Sequence, residues 1–197
     1  FAKALEELGI EVIPFKLLDY FLGKWGHFQN ALPLPLSAMN KINRDLLDFL
    51  TVEEPEFAFF WNCNHIYPSS LKKLRKNNTK IITYNNDDPF GSVFTNKKPL
   101  IQLIQYFWYL KNLKLSHINL VYRPVNLIEA KSFSKSDCII RLFKPYFIPE
   151  LHQAGIYDLE TCDNDVVFVG HYEDDQRLES MEYLFNQGIC VAIYGTG

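Results

Sequence analysis

One stretch constrains the fold of this chain more than any other. Between residues 57 and 90, a short apolar run, a polar loop, a basic helical segment, a second apolar run and a second polar loop follow one another. Phe57 to Trp61 is apolar and ends abruptly in Asn62, Asn64 and His65. Pro68 suits the first turn of a helix, where its missing N–H would have no partner in any case. Leu71 and Leu74 give that helix one apolar side, Lys72, Lys73, Arg75 and Lys76 cover the rest, and Asn77 and Asn78 stop it. Lys80 to Tyr84 is the next strand, running into Asn85, Asn86, Asp87 and Asp88. The pattern predicts a β-α-β unit with polar clusters at the carboxyl ends of both strands. In open parallel sheets ligands bind along that edge, so His65, Asp87 and Asp88 are expected to share one crevice.

The same alternation runs through the rest of the chain. Phe1, Ala4, Leu5 and Leu8 have helical spacing, with Gly9 placed as a C′ glycine and Ile10 to Phe15 as a strand. Leu17 to Pro35 reads as a long loop with a short aromatic helix around Tyr20 to Trp25. Ser37 is a candidate cap for a helix to about Leu50. Pro99 to Leu110 is a helix apolar nearly all round, and so expected to be well buried. His117 to Tyr122 is a strand ending in Arg123 and Asn126, followed by a short helix over 125–133 and a strand over 137–142. Prolines and an acidic run after Phe143 have a linker composition. Near residue 165 the rhythm restarts as strand, Gly170, helix, Gly188 and strand.

The expected fold is therefore α/β. A Rossmann-like parallel-sheet domain spans 1–149, and the linker with the first β-α-β unit of a second Rossmann-like domain spans 150–197. A helix leading straight into a strand at one end, and Tyr194-Gly-Thr-Gly at the other, read as a piece of a longer α/β chain lacking its first strand.

Composition removes several classes. At 48% hydrophobic and 15% aromatic the chain lies outside the disordered range. Apolar runs fall short of the roughly 18 residues of a membrane helix. A net charge of −3 gives no argument for nucleic acid or an anionic membrane. Cys63, Cys138, Cys162 and Cys190 are scattered without a CxxC, three of them in or beside apolar runs. They read as reduced and mostly buried, which points to a cytoplasmic location. Cys63 and His65 lack the second pair that a metal site would need.

Each candidate side chain has a bland reading beside its chemical one. Asp87 and Asp88 can bind a cation, act as a base or accept hydrogen bonds from sugar hydroxyls; equally, Asn and Asp before a proline make Asx turns. His65 can be a base near neutral pH, or simply a polar surface residue. Arg123 can hold a phosphate or sit in a surface ion pair. Gly170-His171 opens a strand-to-helix turn of a kind that accepts phosphate. Neither GxGxxG nor a P-loop is present.

Four segments, in order, resemble one known family. Phe60-Trp-Asn-Cys-Asn-His-Ile-Tyr-Pro, Tyr84-Asn-Asn-Asp-Asp-Pro-Phe, Tyr122-Arg-Pro-Val-Asn and Val167-Phe-Val-Gly-His-Tyr, followed by Arg177, are similar to the CgeB-type (spore maturation protein-like) glycosyltransferases. The resemblance covers about residues 57–197. It implies a GT-B fold of two Rossmann-like domains facing across a cleft, with a nucleotide-sugar donor on the C-terminal side and a glycan, protein or small-molecule acceptor on the N-terminal side. It implies no cofactor and no catalytic metal, the leaving diphosphate being stabilised by helix termini and basic side chains. Together with the strand-end argument it makes Asp88, Asp87 and His65 the expected catalytic residues. The expected substrate-binding residues are Asn62, Asn64, Asn86, Arg123, Asn126, Gly170, His171 and Arg177. The family's later donor-binding loops would lie beyond Gly197, so the chain alone is expected to be inactive. Rival readings on the same scaffold are a two-lobed sugar- or nucleotide-binding protein and a nucleotide-sugar epimerase.

Overall fold

The computed structural model describes residues 2–90, 100–144, 163–170 and 176–195. The chain divides into two compact units, Phe1–Tyr146 and Phe147–Gly197. The first holds helices α1 (Ala2–Glu7), α2 (Gly23–Ala31), α3 (Ser37–Glu53), α4 (Pro68–Lys76), α5 (Leu100–Asn112) and α6 (Asn126–Phe133). Its strands are β1 (Phe57–Trp61), β2 (Lys80–Asn85), β3 (Ile118–Val121) and β4 (Ile139–Leu142). They form one parallel sheet in the order β1-β2-β3-β4. The fold is α/β and compatible with a Rossmann-like architecture.

A strand order that never reverses, joined by right-handed crossovers, sends its connecting helices to one face. The core follows: Leu71 and Leu74 of α4, Tyr109 of α5 and Ala130 of α6 pack with Ile81 and Val121 of the sheet. Thr83 and Asn119, register partners in mid-sheet, are also buried and hydrogen-bonded to each other. The opposite face is more open and aromatic. Trp61 meets Tyr84 edge-on at 4.9 Å, Tyr84 meets Phe143 at 5.2 Å, and Phe57 and Ile139 are about half exposed.

Several expectations need correction. Residues 10–15 are not a strand. Pro14 has no N–H to give to a ladder, and Ile10 and Ile13 stay exposed, so a β-rich composition did not suffice without a neighbour to pair with. Ser37 does not cap α3: it is the first helical residue, and Leu36 holds the cap position without a side-chain bond. The orphan N–H of Ala38 is taken by the buried Gln29 Oε1 at 2.9 Å, which also accepts from Ser37 Oγ. The segment read as a loop over 17–35 is largely ordered into a helical turn at Leu17–Tyr20 and the nine-residue α2. Helix α5 is one-sided, with Leu100, Ile101 and Phe107 exposed and Tyr109 and Asn112 buried. Among the described cysteines only Cys63 is buried; Cys190 is exposed.

The second unit contains β5 (Val166–Val169), α7 (Arg177–Asn186) and β6 (Val191–Tyr194), the two strands pairing in parallel. Among the described residues no helix is long and apolar enough to cross a membrane.

Candidate functional site at the carboxyl ends of the strands

The loop after β1 turns inward. Asn62 takes a left-handed conformation (φ 49°), accessible to asparagine at low cost, and its N–H closes the ladder on the Tyr84 carbonyl at 2.9 Å. Cys63, His65 and Ile66 are then buried. Two buried asparagines fasten them. Asn43 of α3 donates to the carbonyls of Met39 and His65, both at 2.8 Å, and accepts from Tyr67 N–H at 2.7 Å and Ser70 Oγ at 2.8 Å. Asn112 of α5 donates to the carbonyls of Cys63 at 3.2 Å and Ile66 at 2.7 Å. Burial pushes the Cys63 thiol up to about 12, so it is a packing group rather than a nucleophile.

His65 goes with this inward loop. It is 7% exposed and packs against Phe21 at 4.7 Å. Its Nε2–H donates to the Asn30 carbonyl of α2 at 3.1 Å, which fixes the tautomer. Burial lowers its pKa. The structure ties His65 to α2 and α3, not to the aspartates with which it was expected to work. Asn62 and Asn64 each bury a side-chain oxygen that has no hydrogen-bond partner.

The loop after β2 is built differently. Asn85 Oδ1 accepts the N–H of Asp87 at 2.7 Å, so the Asx turn foreseen as the bland reading does form. Asn85 makes it, however, which leaves both aspartate carboxylates available to neighbouring elements. Asp88 accepts from Asn126 Nδ2 at the start of α6, at 3.1 Å, and pairs with Arg123 at 3.7 Å. Asn126 also donates to Glu129 at 2.9 Å, while its own carbonyl oxygen is buried without a partner. Asp87 and Asp88 lie near enough to Tyr106 of α5 for their charges to act on its hydroxyl. Burial first, then the charges of Asp87 and Asp88, raise the Tyr106 pKa strongly. Asn86 is exposed and accepts from Trp61 Nε1 at 3.2 Å.

Asp87, Asp88, Arg123 and Asn126 are thus brought together from the ends of β2 and β3, as parallel pairing requires. Tyr106 joins them unforeseen. It lies in an apolar stretch, and only helical phase places its hydroxyl toward the β2 loop. In the second unit, Gly170 ends β5, its N–H bonded to the Tyr194 carbonyl at 2.9 Å, and Arg177 begins α7. His171 lies outside the described residues. Among the described residues no three His, Cys, Asp or Glu side chains come together as metal ligands would.

The first unit therefore belongs to the α/β class with a parallel sheet and a polar, charged strand-end cluster. Compared with known proteins, the chain matches no family model and no curated protein.

Proposed function

We propose that the chain is part of a GT-B-type glycosyltransferase that moves a sugar from a nucleotide-sugar to an acceptor hydroxyl. The observation that supports this best is the grouping of Asp87, Asp88, Tyr106, Arg123 and Asn126 at the carboxyl edge of the sheet. In this reading Asp88 takes the proton of the acceptor hydroxyl as its oxygen attacks the anomeric carbon and the nucleoside diphosphate departs. Asn126 and Arg123 hold the Asp88 carboxylate in place, and Asp87, near the Tyr106 hydroxyl, accepts a hydrogen bond from a second hydroxyl. Gly170, His171 and Arg177 of the second unit serve the donor phosphates. His65 is left out of the chemistry.

The test is a transfer assay with UDP-, GDP- and dTDP-sugars on the product of the natural gene. Asp88→Asn should lower turnover by roughly 10²–10⁴-fold with donor binding little changed. Unchanged turnover would remove Asp88 as base. A second reading, a sugar- or nucleotide-binding protein without chemistry, is favoured by one observation: Asp88 already meets a cation and an amide donor. Ligand binding without turnover, abolished by Asp88→Asn, would support it.

A further inference from the structure

One groove shares no residue with the strand-end cluster. About 570 Å³ in volume, it opens between the Leu17–Tyr20 turn, α2 and the start of α3. That is the size range of small-ligand sites. Lys16, Asp19, Gln29, Ser37 and Lys41 supply polar groups, while Tyr20, Leu22 and Trp25 supply apolar surface.

The walls are held before any ligand arrives. A side-chain carbon on Gly26 would fall 2.3 Å from the carbonyl carbon of Phe21, so α2 sits directly against the turn that precedes it. Gln29 ties α2 to the first turn of α3, and His65 ties Asn30 to the core. Trp25 is 60% exposed and stacked on Phe28 at 5.0 Å and 15°. Phe28 covers one indole face and fixes its plane, which leaves an aromatic platform on the other.

Charge narrows the ligand class. Lys41 is ion-paired with Asp45 and lies 4.7 Å above the Tyr20 ring. Asp45 also accepts from Tyr20 at 3.0 Å and from Arg44, and neither Asp45 nor Arg44 lines the groove. Lys16 and Asp19 are of opposite sign. With Lys41 paired to Asp45 and Lys16 offset by Asp19, the groove offers little unpaired positive charge to a phosphate or a carboxylate. Its walls offer donors and acceptors in mixed order beside a flat ring, which matches a group bearing many hydroxyls and one apolar face.

We infer that this groove binds a neutral saccharide ring, stacked on Trp25 and hydrogen-bonded by Asp19, Lys16 and Ser37. The inference stands apart from the transferase reading, because its test uses no nucleotide and no residue of the strand-end cluster.

The 197-residue chain is titrated with methyl glycosides of common hexoses and N-acetylhexosamines and with their disaccharides, followed by ligand-observed NMR and tryptophan fluorescence. At least one should bind saturably. Trp25→Ala should weaken that binding about tenfold, and Asp19→Asn should weaken it too. Both positions are at the surface, so thermal unfolding of the variants should match that of the parent. Inorganic phosphate is the contrasting probe. Saturation by phosphate with none by any sugar, absence of saturation across the panel, or sugar binding indifferent to both groove variants would each overturn the proposal.

Discussion

The loops after β1 and β2 look alike as sequence, since both are short, rich in asparagine and placed at the carboxyl ends of adjacent parallel strands. They do opposite things. The β1 loop folds into the protein, and its polar backbone is satisfied by Asn43 and Asn112. The β2 loop spends one asparagine on its own turn and presents two carboxylates to Tyr106, Arg123 and Asn126. Polar composition at a strand end marks a place where the backbone leaves the ladder. Whether the place becomes framework or site depends on what the neighbouring helices bring to it. Helices α3 and α5 bring amides to the first loop; at the second, α5 brings a phenol and the β3–α6 segment an ion pair.

The contrast has measurable consequences. The largest should come from Asn43→Ala, which would strand the Tyr67 N–H and the carbonyl of His65 inside the core. Each buried group left unpaired costs about 1–3 kcal/mol, so a loss of roughly 3–4 kcal/mol is expected in urea denaturation. A loss below about 1 kcal/mol would mean the β1 loop is not held as described. Asn112→Ala should follow at about 2 kcal/mol, through the carbonyls of Cys63 and Ile66.

Acid should act next, and through histidines. His65 and His117 both have folded pKa values below the ordinary 6.5, each chiefly by burial, and His117 Nδ1 accepts the Ile81 N–H at 2.9 Å. Groups shifted this way contribute stability that is fully present above the unfolded pKa, near 6.5, and lost as pH falls through the lowered folded values. The urea midpoint should therefore fall between pH 7.5 and pH 5, and His65→Gln should flatten part of that slope. A midpoint independent of pH over this window would contradict the buried placement of His65 and the half-buried placement of His117.

The smallest effect should be that of Asp88→Asn on stability. Its partner Arg123 is about half exposed, and such pairs contribute at most about 1 kcal/mol. If Asp88→Asn destabilised the fold as much as Asn43→Ala, the β2 loop would also be framework, and the distinction between the loops would collapse.

Much of the scaffold was legible. β1, α4 and β2 appear nearly residue for residue because Pro68 and Asn77–Asn78 punctuate a clear change of period. The meeting of Asp88 with Arg123 was legible too, because parallel strands bring their carboxyl ends to one edge. Ile10 to Phe15 misled because strand propensity describes a residue's fit to a sheet, not the presence of a partner strand. Asn43 and Asn112 were silent because an asparagine inside a helix reads as solvent-facing until its neighbours in space are known. Tyr106 was silent for the converse reason, its hydroxyl hidden in an apolar run. His65 was read as chemistry because its loop is polar in sequence, whereas the buried contacts that claim it come from residues more than twenty positions away.

The strand order β1-β2-β3-β4 bears on how the molecule comes into being. Each strand pairs with the next one to leave the ribosome, a few tens of residues later, so none must be kept waiting for a distant partner. Parallel sheets are slow to close when their contacts are remote in the chain; here the closing loops stay short by that standard. The sheet can lengthen one strand and one helix at a time as synthesis proceeds. Asn43, already present in α3, is ready to fasten the β1 loop as soon as Tyr67 and Ser70 emerge, before the acidic loop that follows β2 has been made.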